Sequence, residues 1–527
     1  MITLLDYGAG NVRSVRNAIR AAGFEVQDVN TPEEIGRAEI LVFPGVGSFG
    51  SAIDNLREKG YFEPLKRYLL EDRPFLGICI GLQALFAESA ESLGKPGLAI
   101  IPGRVERFDD SRLSVPHIGW NGVCVKKPSA LFNGYEGEKL YFVHSYAARP
   151  IAENRDWLLS TTSYDGEFIS SVEKGRVAAC QFHPEKSGQA GQVLLRNFLA
   201  GNQADQTVKV SGDDCRTKLG KRIIACLDVR SNDSGDLVVT KGDQYDVRES
   251  GEVRNLGKPV ELAQRYYKEG ADEVTFLNIT AFRAFPLKDQ PMIEVLRKAS
   301  EEVFVPLTIG GGIREFTDSE GKYYSALDVA GEYFRSGADK VSIGSDAVAV
   351  VEDYLKNGRA TGKSSIEQIA RVYGNQAVVI SVDPRRVYVN SPADTEHATI
   401  RTAIPGPAGE QYCWYQCTVL GGREGRDVDA VQLASICEKL GAGEILLNCI
   451  DRDGTNSGFD LELINMVKGA VRIPVIASSG AGCVEHFSEV FENTAADAAL
   501  AAGIFHRREV PISAVKEHLR EKGIPVR

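Results

Sequence analysis

The chain has 527 residues and a formal net charge of −11. At about 100–250 residues per domain it holds two or three cores. The acidic balance argues against a nucleic-acid binder, yet it leaves room for a small anion held by backbone amides.

The ten cysteines are scattered without a CxxC pair, which suits a reducing cytosol and a cytoplasmic protein. The nearest pair, Cys413 and Cys417, reads as two half-buried thiols on one face of a strand rather than a zinc site. MITLLDYGAG enters a strand at once, with no basic segment and apolar signal core. No later apolar stretch is long enough to span a bilayer.

Along the chain, ITLLDYG (2–8) reads as a strand and VRSVRNAIRAAG (12–23) as a helix. ILVFPGVGSFG (40–50) is a strand running into a glycine-rich turn. RPFLGICIGLQALF (73–86) is an apolar strand followed by a helix with Leu82, Leu85 and Phe86 on one face. KLYFVHSYAA (139–148) and RVAACQFHPE (176–185) are further strands with polar ends. Apolar runs alternating with helical patterns predict an α/β sheet.

Cys79 stands between Gly77 and Gly81, at the turn from strand to helix. G-x-C-x-G there is a nucleophile elbow, with the sulfur near a helix N-terminus that favours thiolate. Alone, the pentapeptide reads equally as a buried structural cysteine beside packing glycines. QFHPE adds His183 and Glu185, so that an imidazole takes the thiol proton and a carboxylate orients the imidazole. PGVGSFG, with Gly45 and Gly47, offers flexible amides for an oxyanion, where one donor is worth about 3–4 kcal/mol. In isolation it would be a glycine-rich surface turn.

On PGVGSFG, GICIGLQ and QFHPE, residues 1–200 resemble the class I, triad-type glutamine amidotransferases. The resemblance implies a glutamyl thioester on Cys79 and release of ammonia. It also implies that Gln83, His144, Ser145 and Tyr146 help bind glutamine.

Residues 201–221 are polar with little periodicity. They place a first domain at 1–203, a linker at 204–221 and a second domain at 222–527. The second domain repeats itself. GADEVTFLNIT (270–280) echoes GAGEILLNCID (441–451), and VPLTIGGGI (305–313) echoes IPVIASSGA (473–481). GADKVSIGS (337–345) echoes AADAALAAG (495–503), and RIIACLDVR (222–230) echoes AVVISVDPR (377–385). Two matching four-strand halves predict a (βα)8, or TIM, barrel; a doubly wound sheet gives no reason for them. RVYVN and YCWYQCTV, around PGPAGE, predict a hairpin after the fifth strand.

Asp228 and Asp383 end the first and fifth strands. The repeat sets them across the barrel mouth, where like charge can raise one pKa and divide acid from base work. One such aspartate could be a helix cap. Gly311 and Gly312 follow strand three, Gly480 strand seven, Gly344 and Ser345 strand four, and Gly503 strand eight. Small residues there let amides close around phosphate, or simply close tight turns. Two sets related by the repeat predict an elongated ligand with a phosphate at each end.

From ACLDV through VVTKGDQ to SSGAG, this half resembles the cyclase of imidazole glycerol phosphate synthase. The whole chain resembles the bifunctional, single-chain form of that family from histidine biosynthesis. The resemblance implies conversion of glutamine and the bisphosphate PRFAR to imidazole glycerol phosphate, AICAR and glutamate. It makes Asp228 and Asp383 the acid–base pair and Lys241 a loop lysine after strand one. Asp453 and Gly454 fall beside the substrate phosphate. It implies no cofactor, no metal, no nucleic acid, no membrane and no obligatory protein partner.

Arg222, Glu273, Lys340 and Glu444 begin strands one, two, four and six. Isolated charges at strand starts are ordinarily solvated, but alternating sign suggests a salt-bridge ring. The resemblance makes that ring the ammonia entrance. Trp120 is expected at the interface or, equally, in a core. Asp339 is expected to pair across the interface with a base such as Lys186. Two rival readings are a sugar isomerase of the same pathway, which needs no triad, and a catalytically dead glutamine sensor, which would lack Cys79, His183 or an aspartate.

Overall fold

The computed structural model describes residues 1–527 except 9, 202–207, 213, 232–236, 241–247, 250–251, 254, 280–286 and 288–290. Lys241 lies outside the described residues.

In the first half, apolar runs such as ILVF and FLGI are buried on both faces and build the parallel centre of an eight-stranded sheet. The strands run in the order Val26–Asp28, Ile2–Leu4, Ile40–Phe43, Phe75–Ile78, Val177–Cys180, Gly166–Lys174, Leu158–Tyr164 and Cys124–Val125. Phe75–Ile78 and Val177–Cys180 are parallel neighbours with Ile78 opposite Cys180. The segments that follow them, carrying Cys79 and QFHPE, therefore leave the sheet side by side.

In the second half, eight parallel strands close a ring. They are Arg222–Ser231, Glu273–Asn278, Leu307–Gly310, Lys340–Ile343, Val378–Val382, Glu444–Asn448, Val475–Ser478 and Ala498–Ala501, with Arg222 paired to Ala498. The four echoed segment pairs occupy strands one and five, two and six, three and seven, and four and eight, as the repeat predicts. Strand periodicity sorts the side chains. Ile223, Ala225, Leu227 and Val229 pack outward in the large core. Ile224 and Cys226 join Val379, Leu446, Ile476, Ala498 and Leu500 in a separate apolar cluster that fills the lumen.

After strand five the expected hairpin is present, with Pro384–Val389 paired to Tyr412–Val419 from Pro384–Cys417 to Val389–Tyr412. It is extended by Thr399–Arg401 and Glu424–Asp429 into a four-stranded antiparallel sheet. Cys413 and Cys417 share one face of it, but both are fully buried rather than half-buried.

The halves meet through a two-stranded ribbon, His117–Asn121 paired antiparallel to Leu140–His144. Its alternation serves both sides. Ile118, Trp120, Tyr141 and Val143 belong to the barrel's core cluster, whereas Leu140 and Phe142 belong to a core of the first half. Trp120 is thus an interface residue; its indole N–H donates to the Asp272 carbonyl at 3.1 Å, and the Arg527 guanidinium lies 4.1 Å from its ring centroid. Lys186 and Asp339 pair at 2.7 Å, and Asp339 also accepts from Asn11 at 2.8 Å.

The described part of the linker is tied to the same ribbon. Gly220 N–H donates to the Trp120 carbonyl at 2.8 Å, and Cys215 forms a disulfide with Cys124, on the edge strand of the eight-stranded sheet just after the ribbon. Eight cysteines are free. The scattered thiols thus include one pair, 91 residues apart in sequence, a separation that leaves no spacing signature.

Asp339→Ala strips the counter-charge from a lysine that is buried at the interface. Breaking one side of a buried pair costs about 3–5 kcal/mol. The expected result is a lower urea midpoint for the first half, followed by tryptophan fluorescence; an unchanged midpoint contradicts the pairing.

Candidate active sites

The elbow is built by close backbone approach. A Cβ on Gly77 would stand 2.6 Å from the Gly81 carbonyl oxygen, and one on Gly81 would stand 2.1 Å from that of Phe43. Between them Cys79 is held at φ 53° and ψ −100°, a conformation that L residues adopt only when their surroundings impose it. The strained turn lifts the sulfur onto the N-terminus of the short helix Ile80–Gln83.

On the adjacent strand end, His183 Nδ1 meets Glu185 Oε1 at 2.7 Å, and both residues are buried. Nε2 makes no hydrogen bond among the described residues, and Cys79 is the next group acting on the ring. Burial alone would lower the His183 imidazole, but Glu185 and then Cys79 hold it well above its ordinary range. The arrangement suits a base that takes a thiol proton and keeps it.

PGVGSFG lies beside the elbow. Ile80 N–H donates to the Gly45 carbonyl at 3.5 Å, and the Tyr7 hydroxyl donates to the Val46 carbonyl at 3.2 Å. Gly47 has φ +147°, and its Cβ would stand 3.2 Å from the Val372 carbonyl oxygen of the barrel half. Ser145 Oγ reaches Asn375 of the barrel half at 3.1 Å. The Gln83 amide donates to the Tyr146 carbonyl at 3.0 Å. His144 is different in kind, because both its ring nitrogens are engaged, with His117 at 3.2 Å and the Tyr146 carbonyl at 2.8 Å.

Sequence reasoning missed Glu91, an isolated acid outside every motif. Its carboxylate accepts from Phe49 N–H, at the end of PGVGSFG, at 2.6 Å. Burial raises this carboxyl to about 7 against that hydrogen bond.

On the barrel floor the four expected charges close a ring. Arg222 pairs with Glu273 at 3.0 Å and with Glu444, and Lys340 bridges Glu273 and Glu444 at 2.7 Å each. All four are buried, and Thr308 Oγ donates a further bond to Glu273 at 2.6 Å. Full pairing is what makes four buried charges tolerable. A cavity of about 10 Å³ is lined by both Lys340 and His183, together with Val46, Tyr141, Lys186 and Gln376. The Tyr141 hydroxyl is buried there without a hydrogen-bond partner among the described residues.

At the opposite end, Asp228 falls within strand one and Asp383 follows strand five, four places round the eight-stranded ring. Asn448 donates to Asp383 at 2.7 Å and Ser381 lies at 3.5 Å; Asn448 also escaped sequence reasoning. Burial raises the Asp383 carboxyl, Asn448 and Ser381 oppose it, and the like charge of Asp453 adds to it. Gly454 has φ 73° in the turn after strand six.

Gly311 (φ +89°) and Gly480 (φ +97°) stand after strands three and seven, one residue out of step in the repeat: a Cβ on either would stand 2.2 Å from a carbonyl oxygen, of Asn278 or of Gly458. Tight packing therefore demands glycine at both. Gly312 has φ 75°. Gly344 caps the helix Ser345–Asn357, and Gly503 opens the short helix ending at His506.

A model of class-I glutamine amidotransferases matches residues 3–201, and a model of histidine biosynthesis proteins matches residues 222–511. Over its whole length the chain is 61% identical to a chloroplastic imidazole glycerol phosphate synthase hisHF of Arabidopsis thaliana, of which it covers 89%. It is 55% identical to the hisHF synthase of Schizosaccharomyces pombe, covering 100% of it. Its barrel part, 59% of the chain, is 43% identical to the synthase subunit HisF of Methanosphaera stadtmanae, covering 99% of that subunit. The chain belongs to the bifunctional imidazole glycerol phosphate synthases of histidine biosynthesis, a glutamine amidotransferase fused to a TIM barrel.

Proposed function

We propose that Cys79, His183 and Glu185 are the glutaminase triad, and that ammonia passes from it through the barrel to Asp228 and Asp383. The observation that carries this reading is the small cavity shared by His183 and Lys340. At about 10 Å³ it is close to the least space that holds one water-sized molecule.

In this account His183 takes the Cys79 proton and the thiolate attacks the glutamine carboxamide. Ser145, Tyr146 and Gln83 bind the substrate, and Glu91 receives its α-ammonium. Backbone N–H groups of the 45–47 strand hold the oxyanion once that strand turns, since Ile80 N–H is spent on Gly45 at rest. Collapse returns the His183 proton to the leaving nitrogen as ammonia. Water then releases glutamate from the thioester. Unprotonated ammonia crosses the ring of Arg222, Glu273, Lys340 and Glu444 and the apolar lumen, which hold it apart from bulk acid. At the mouth it attacks PRFAR, whose phosphates sit at Gly311, Gly312, Gly344 and Ser345 on one side and at Asp453, Gly454, Gly480 and Gly503 on the other. Asp383, the carboxyl raised by burial, starts as the acid and Asp228 as the base. Imidazole glycerol phosphate and AICAR leave. Residues 1–203 and 222–527 act as the two units joined by 204–221, in one cytoplasmic chain without a further protein partner.

Lys340→Met leaves Glu273 and Glu444 buried with one cation fewer. Cyclisation from ammonium salts is expected to persist, while glutamine consumed per product rises above one. Stoichiometric coupling in that variant contradicts the path.

Glu91 must be ionised to hold an ammonium, and burial raises its carboxyl to about 7. The KM for glutamine is therefore expected to rise by roughly tenfold per pH unit below that point. Glu91→Gln should give a high KM that no longer varies there. A wild-type KM flat from pH 8 to 6 excludes the role.

A further inference from the structure

A line of buried neutral side chains runs from the interface ribbon to the nucleophile. Asn121 Nδ2 lies 3.2 Å from His117 Nε2, and His117 Nδ1 lies 3.2 Å from His144 Nε2. His144 Nδ1 lies 2.8 Å from the Tyr146 carbonyl, which also accepts from Gln83 Nε2 at 3.0 Å. The same Gln83 amide donates to Gln181 Oε1 at 3.1 Å, and Gln181 Nε2 reaches Cys79 Sγ at 3.4 Å. Asn121, His117, His144, Gln83 and Gln181 are all buried.

The direction of every bond is determined. Asn121 Oδ1 accepts from Gly122 N–H at 2.9 Å and its Nδ2 donates to the Ser163 carbonyl at 3.1 Å, so Nδ2 faces His117 as a donor. His117 Nε2 must then accept, which places the proton of a neutral ring on Nδ1. That proton is donated to His144 Nε2, and His144 in turn carries its own proton on Nδ1, where the Tyr146 carbonyl accepts it. At the far end, Gln181 spends its oxygen on Gln83, so only its N–H can face sulfur. Burial keeps both imidazoles neutral: His117 is pushed well below the ordinary range and His144 down to about 3. Phe108, Phe142 and Phe168 wall them in.

We propose that Gln181 is a positioning residue that donates a hydrogen bond to the Cys79 thiolate, and that the Asn121–His117–His144 line holds the glutamine-binding loop in the geometry that keeps this donor aimed. The proposal rests on Cys79 being the glutaminase nucleophile. It adds to the triad a second, uncharged stabiliser of the sulfur anion. His183 receives the thiol proton, whereas Gln181 keeps its own and contributes only a dipole. Because the same ribbon carries Trp120 against the Asp272 carbonyl, seating on the barrel and aiming of the sulfur share one rigid element.

The test uses the full chain. Inactivation of glutaminase by iodoacetamide is followed from pH 5 to 9 in wild type, Gln181→Ala and Gln181→Glu. Ammonium-driven cyclisation in each variant reports that the chain is folded. The ionisable groups that face Cys79 are His183, Tyr7 and Cys180, and all three proteins share them. A hydrogen bond to an ion is worth enough that Gln181→Ala should slow alkylation at pH 7 by about tenfold, with the midpoint moved upward. Gln181→Glu, which sets an acceptor against the sulfur, should slow it further. Nitrogen-15 spectra of labelled enzyme, assigned with His117→Phe and His144→Phe, should show His117 and His144 both protonated on Nδ1. An alkylation profile for Gln181→Ala that superimposes on wild type overturns the proposal, as does an Nε2-protonated ring at either histidine. Failure of the underlying reading looks different: Cys79→Ala would then keep its glutaminase activity.

Discussion

Four charges on the barrel floor set the terms for the rest of the molecule. Arg222, Glu273, Lys340 and Glu444 are buried in a closed alternating ring. Burying ions is tolerable only when each finds its counter-ion, so the ring needs a fitted cover. The amidotransferase half supplies one in the His117–Asn121 and Leu140–His144 ribbon. Strand alternation lets one face of that ribbon, with Trp120 and Tyr141, pack on the barrel. The other face, with His117 and His144, enters the glutaminase core. In the proposed account, a covered floor is also the condition under which a nitrogen released at Cys79 would reach the lumen before it meets a proton from solvent.

The two catalytic ends solve opposite electrostatic problems. At the elbow, a strained backbone, a raised imidazole and a neutral amide all favour an anion on sulfur. At the mouth, burial raises the Asp383 carboxyl, which in the proposed account favours a neutral acid able to donate a proton. The strand-one sequence RIIACLDV links the two regimes by simple alternation. Arg222 stands at the floor, Ile224 and Cys226 line an apolar middle, and Asp228 lies near the rim.

Much of this was legible in the sequence, because strand period, repeat and local motif are local signals. The echoed segments gave eight strands in the right order, and GICIGLQ with QFHPE marked two segments that parallel pairing brings together. What was not legible depends on tertiary approach. Glu91 sits in no motif and gains its character from Phe49 N–H and burial. Asn448 looks like any strand-end polar residue until it is seen on Asp383. Cys124 and Cys215 are 91 residues apart, and no spacing rule joins them. Gly311 and Gly480 read as phosphate glycines, yet each is also required by a carbonyl 2.2 Å from where a Cβ would stand. Nothing in the HSY stretch foretells that the His144 ring nitrogens meet His117 and the Tyr146 carbonyl.

The central claim is that nitrogen travels inside the protein. It is tested most directly by turnover of amide-15N glutamine with PRFAR in a large excess of unlabelled ammonium at neutral pH. The account predicts imidazole glycerol phosphate whose new ring nitrogen keeps the label of the glutamine, with no dilution as ammonium is raised. Label diluted in proportion to the ammonium in solution would mean that the nitrogen passes through bulk water, and the account would be contradicted.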